Sequence, residues 1–161
     1  MAEEVSELAK AFMAMIPVAA GGAIGIAGSL GVNFLQQRAK RTEILRVKAE
    51  EALQYLYKSV LWLEEYRAQC LLDGEPMIKS WPPIDILEAT VTLYFPDIEK
   101  ELAAFVTEFT KNTSLAQDFS KEKFEQGKMP IDHKERWKAK NVELKSRFNA
   151  VKGRIRELAN L

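Results

Sequence analysis

The chain has little of what most chemistry needs. Cys70 is its one cysteine and His133 its one histidine in 161 residues. A single cysteine excludes a disulfide within the chain and suits a reducing compartment. A lone histidine beside Asp132, with no cysteine near it, gives none of the Cys/His groupings that hold zinc, and it reads as a helix-start or solvent residue. Cys70 falls on an apolar stripe and reads as core. No ExxH di-iron set, P-loop or GxSxG elbow is present. No two glycines stand at i and i+2, so the Rossmann fingerprint is excluded as well. Glu50-Glu51 and Glu64-Glu65 are adjacent pairs that split across neighbouring helix faces, and Glu99 and Glu101 do not share a face. With no catalytic, metal-ligating or cofactor-binding constellation, the expectation is a non-enzyme that takes no cofactor.

Charge of one sign is also lacking, with 23 basic residues against 23 acidic, so nothing pulls the whole chain toward nucleic acid. Charge of either sign is missing altogether from Ala11 to Phe34, AFMAMIPVAAGGAIGIAGSLGVNF. As a helix this run would extend about 36 Å, enough for a ~30 Å hydrocarbon core with some tilt. Gly21, Gly22, Gly25, Gly28 and Gly31 would each cost a helix in water about 0.8–1 kcal/mol relative to Ala. In lipid, unpaired backbone groups cost several kcal/mol each and enforce the helix. Gly21, Gly25 and Ser29 stand at successive steps of four, and Ala23, Ala27 and Gly31 form a second row. Rows of small residues let membrane helices approach closely, so these six residues are the expected span-packing surface. Glu3, Glu4 and Glu7 occupy the place of the basic region of a signal peptide, and the apolar run continues past Val18-Ala19-Ala20. The alternative to a span is a Gly-rich helix buried by a partner in a soluble complex.

The expected organisation is a short extracytoplasmic tail at residues 1–10, a transmembrane helix at 11–34 and a cytosolic helical domain at 35–161. Arg38, Lys40 and Arg41 follow the run closely, whereas Lys10 alone precedes it. The positive-inside rule then places the C-terminal bulk in the cytoplasm. The same cluster could touch anionic headgroups.

Beyond the run the pattern is helical throughout, giving an all-α class. Leu45, Ala49, Ala52, Leu56, Val60, Leu63 and Cys70 recur at steps of three and four, with Leu53, Tyr57 and Leu71 widening the stripe. Tyr55, Trp62 and Tyr66 read as packing residues. Asp73-Gly74 predicts the end of this helix near Leu72. A linker with three prolines, 75–83, precedes a helix bearing Ile84, Leu87, Val91, Tyr94 and Phe95, and Trp81 is expected to tuck onto the bundle. Pro96 suits a helix start. Ile98, Leu102, Phe105 and Phe109 line the next helix, expected to end near Asn112. Ser114 is expected to cap a further short helix with Leu115, Phe119 and Phe124, closed by Gly127.

The last helix, expected over Asp132 to Asn160, carries a seam of Trp137, Asn141, Leu144, Phe148, Val151, Ile155 and Leu158. The alternating steps of four and three give a partly coiled-coil-like helix. Lys140, Arg147 and Arg154 flank the seam at g positions, and Lys138, Lys145 and Lys152 at e positions. A parallel homodimer would set these like charges against one another. The seam is therefore expected to pack within its own bundle, and the basic face is left for an acidic protein partner. Residues 131–161 hold nine basic residues against four acidic, and 59–130 hold seven against thirteen. No nucleic-acid motif accompanies the basic face.

Two function classes follow, with a third behind them. The first is a non-catalytic, membrane-tethered scaffold or adaptor that self-associates through its span and recruits a partner. The second is a membrane-active effector whose spans assemble into a pore or lesion. Only Ser29 and Asn33 would give that span a polar stripe. The third is the soluble complex subunit.

Overall fold

A computed structural model describes the backbone of residues 2–72 and 81–159, and the side chains of residue 29 and of residues 31–72 and 81–159. Among the described residues the fold is all-helical. Four α-helices form, α1 (Ala2–Leu72), α2 (Ile84–Tyr94), α3 (Glu99–Gln126) and α4 (His133–Ala159), with a single 3-10 turn at Pro96–Ile98. The chain divides into two units, Met1–Glu43 and Ile44–Leu161.

The first unit is the N-terminal part of α1. The described side chains here, at 29 and 31–43, are all exposed, including Val32, Phe34 and Leu35. Most of the expected span falls on residues 11–28 and 30, whose side chains lie outside the described residues. Among the described residues no helix is long and apolar enough to cross a membrane.

The second unit is a helical bundle. On α1 the expected stripe is its core face: Ala49, Ala52, Leu56, Leu63 and Cys70 are buried, and Leu45, Leu53, Val60 and Leu71 pack half-buried against them, whereas Tyr57, expected to widen the stripe, sits at its edge and is 49% exposed. The expected stop at Asp73-Gly74, and the linker as far as Ser80, lie outside the described residues. Helix α2 starts beyond Pro82-Pro83, where the Leu87 N–H donates to the Pro83 carbonyl at 3.3 Å. It buries Ile84, Leu87 and Val91. Phe95 leaves helical geometry, and Pro96 takes the first position of the 3-10 turn, where its missing N–H costs nothing. Glu99 and Glu101 occupy the first turn of α3, the end that favours anions. Gly127 ends α3 in the left-handed region at φ 67°.

Aromatic and polar contacts set the helix directions. Trp62 stacks on Phe109, the Gln117 amide donates to the Tyr66 hydroxyl at 3.0 Å, and Lys123 Nζ donates to the Leu71 carbonyl at 2.6 Å. These pairs ascend together, so this part of α1 runs parallel to α3. Tyr57 meets Phe148 edge-on at 5.0 Å while Trp137 reaches Glu64, so α4 runs antiparallel to α1. Arg136 pairs with Glu122 at 2.9 Å and Arg154 with Glu101 at 3.9 Å, fixing α4 antiparallel to α3 as well. The acidic middle and the basic last helix thus face each other inside one bundle. Phe105, Phe119, Leu56, Leu63, Leu144 and Ile155 are among its largest fully buried side chains. Each contributes about 1.5–3 kcal/mol by leaving water.

The structure corrects other expectations as well. Helix α3 does not break near Asn112, and Ser114 starts no new helix. Asn112 is fully buried, its amide donates to the Glu108 carbonyl at 2.8 Å, and Thr113 does the same to Phe109. Bonding back to the preceding turn lets both residues remain helical. Trp81 does not tuck onto the bundle but is 87% exposed. Phe124 is exposed because it sits on the outer side of the last turns of α3. Leu158 stays at the surface, and Ala159 is the buried residue of that turn.

Candidate partner-binding groove

One turn of α1 and the first half of α4 border an open groove of about 360 Å³. Antiparallel packing brings Glu64 and Arg67 of α1 against Trp137 and Asn141 of α4, and Lys138, Val142 and Lys145 complete the walls. Glu64 organises the floor. One of its carboxylate oxygens accepts from the Trp137 indole N–H at 3.3 Å and from the Asn141 amide at 3.4 Å. The other oxygen pairs with Arg67 at 2.9 Å. The Arg67 guanidinium lies 4.7 Å from the centre of the Trp137 ring, within cation–π range. Its Nε is buried without a hydrogen-bond partner. Asn141 is the polar residue of the seam, and here it finds its acceptor in the same chain.

The basic residues of the last helix divide. Lys138 and Lys145 line the groove. Lys140 is exposed outside it, and Arg147 pairs with Glu143 at 2.7 Å. Lys152 lies over the rings of Tyr57 and Phe148, and Arg154 holds Glu157 and Glu101. The expected six-residue face therefore contributes two cations to the groove. Arg67 joins them from α1, an addition with no signal in the periodicity of either helix.

Elsewhere the polar groups serve the fold. The ring nitrogen Nδ1 of His133 lies 2.7 Å from the Pro130 carbonyl, and the ring stands edge-on to Phe119. Cys70 is fully buried, and burial pushes its thiol pKa up. Burial likewise raises the neighbouring Tyr66 hydroxyl. Among the described residues no three His, Cys, Asp or Glu side chains gather to hold a metal ion.

Arg38, Lys40 and Arg41 are all exposed on the first unit. Of the expected span-packing residues, Ser29 is exposed, and a side chain added at Gly31 would meet open space. Gly21, Ala23, Gly25 and Ala27 lie outside the described side chains.

Compared with known proteins, the chain matches no family model, no curated protein and no solved structure.

Proposed function

We propose that this chain is a non-catalytic scaffold, held at a membrane by its uncharged N-terminal run, whose cytoplasmic bundle recruits a partner. The observation that supports the reading is the 24-residue run without charge, which lies in the helical N-terminal unit. A helical run of that length with no charge fits a hydrocarbon core. Val32, Phe34 and Leu35, at its C-terminal edge, are exposed in the single chain, and lipid or a partner helix would remove that apolar surface from water. Arg38, Lys40 and Arg41 then mark the cytoplasmic side and can meet anionic headgroups. The rows of small residues suit association between spans. The groove between α1 and α4 supplies a recruiting surface with a cationic rim.

Membrane fractionation tests the tether. Full-length protein is expected to stay in the pellet through an alkaline carbonate wash. Release into the supernatant would favour the soluble complex subunit. Dye leakage from vesicles carrying the protein would favour the pore-forming effector.

A further inference from the structure

Two surfaces of the bundle combine exposed apolar side chains with charges left unpaired. The first is the α1/α4 groove. Val142 on its wall is 65% exposed. Lys138 and Lys145 form no ion pair among the described residues. The second is the outer face of α2. Ile84, Leu87 and Val91 anchor this helix, which leaves Ile86, Ala89 and Leu93 on the solvent side at steps of three and four, with Leu93 74% exposed. Asp85 and Glu88 are exposed beside them, also without an ion pair among the described residues. No basic residue occurs in α2. Other charges of the bundle pair within it, as at Lys48–Glu51, Arg136–Glu122 and Arg147–Glu143, and others, such as Lys121 and Lys128 near the exposed Phe124, stand on mixed-charge surface beside Glu125. Unpaired charge therefore coincides with uncovered apolar surface at both places, and the signs are opposite.

We propose that the outer face of α2 of one copy docks in the α1/α4 groove of a second copy, joining bundles head to tail. The proposal rests on the scaffold reading and names the occupant of its groove. Asp85 and Glu88 would face Lys138 and Lys145, while Leu93 would cover Val142. Such complementarity fixes register and excludes like-charged alternatives. A copy cannot fill its own groove with α2, because Ile84, Leu87 and Val91 hold that helix to the core. The seam of α4 offers no rival surface, since Leu144, Val151 and Ile155 are buried inside the bundle. A contact between different faces leaves a free groove at one end and a free α2 at the other, so it extends into chains or closes into rings. A helix of eleven residues is about 16 Å long and covers less than the ~1,200–2,000 Å² of a stable interface. The contact is accordingly weak in dilute solution and is populated when tethering to one membrane raises the local concentration.

Oxidative crosslinking of full-length protein in liposomes tests this. One preparation carries Leu93→Cys, the other Val142→Cys, and the two are co-reconstituted; Cys70 is buried and stays out of the reaction. The mixed disulfide is expected to form about tenfold faster than either homodimer. Asp85→Lys with Glu88→Lys on the first chain, or Lys138→Glu with Lys145→Glu on the second, is expected to remove that preference. Combining the two reversals is expected to restore it. All four positions are exposed, and an unchanged circular dichroism spectrum verifies the fold. Equal rates for mixed and like pairs, or no rescue in the combination, would overturn the proposal. Crosslinking of Val142→Cys in cells to a different protein, with none to Leu93→Cys, would also overturn it and assign the groove to an acidic partner. Carbonate extraction on the same samples separates the two claims. Protein that resists the wash but shows no preference defeats the head-to-tail contact alone. Protein that is released yet crosslinks selectively defeats the tether alone.

Discussion

The guanidinium of Arg67 stacks on the indole of Trp137 at 4.7 Å, joining helices 70 positions apart in the chain. Glu64 holds both partners in place, one by an ion pair and the other through the indole N–H. Trp137 is buried and spans the junction of α1 and α4, so Trp137→Ala is expected to cost about 3–5 kcal/mol. Glu64→Ala removes only polar contacts at a half-exposed site and is expected to cost about 1 kcal/mol. Urea unfolding of both variants checks the order. Equal costs would mean that the carboxylate, not ring packing, holds the junction.

Two phenylalanines that touch each other differ in burial. Phe105 is fully buried on α3, whereas Phe148 is half-buried between Phe105 and Tyr57. Phe105→Ala is expected to cost about 3–5 kcal/mol, and Phe148→Ala about 2–3 kcal/mol. Denaturation midpoints compared at equal slope give the answer, and a larger loss at Phe148 would contradict the packing described.

Glycines 127 and 153 should respond in opposite directions. Gly127 holds φ at 67°, where a side chain strains the backbone, so Gly127→Ala is expected to destabilise by about 1–2 kcal/mol. Gly153 lies inside α4 with open space where a Cβ would stand, so Gly153→Ala is expected to stabilise by about 0.5–1 kcal/mol. Thermal melts of the pair test the end of α3 and the continuity of α4 together.

Cys70 is expected to resist thiol reagents until the protein unfolds. It is fully buried, and its thiol holds the proton to higher pH than in the unfolded chain. The folded state therefore binds more protons than the unfolded state once pH passes the ordinary thiol value, and stability falls as pH rises further. Labelling with a thiol reagent across a urea titration should track unfolding measured by circular dichroism. Rapid labelling of the native protein would show that the α1 stripe opens locally.

The helical stripes were legible because burial of one face repeats every three to four residues. Leu56, Leu63, Leu102, Phe105, Leu144 and Ile155 lie where that period puts them, and Gly127 closes its helix as a residue free to take positive φ must. The Asn112 region was misread because its polar residues suit a helix end as well as a helix that bonds back to its own turn. Trp81 and Phe124 were misread because a large apolar residue can stay at the surface, and spacing near a helix end constrains it weakly. The groove was half-legible. Lys138 and Lys145 stand out on α4, but Glu64 and Arg67 reach it from another helix, and no local pattern relates residue 64 to residue 137. The outer face of α2 carried a signal of its own, because Ile86 and Leu93 are apolar on the side opposite Ile84, Leu87 and Val91.

A membrane tether of this kind leaves the N-terminus outside and the bundle in the cytoplasm, an orientation that site-directed labelling in intact cells reads out. Full-length protein carrying Glu4→Cys, or Glu157→Cys on the exposed side of α4, is treated with a membrane-impermeant thiol reagent before and after permeabilisation. Labelling of Glu4→Cys in intact cells, with Glu157→Cys labelled only after permeabilisation, is the expected result. Labelling of both positions only after permeabilisation, in protein that a carbonate wash releases, would contradict it.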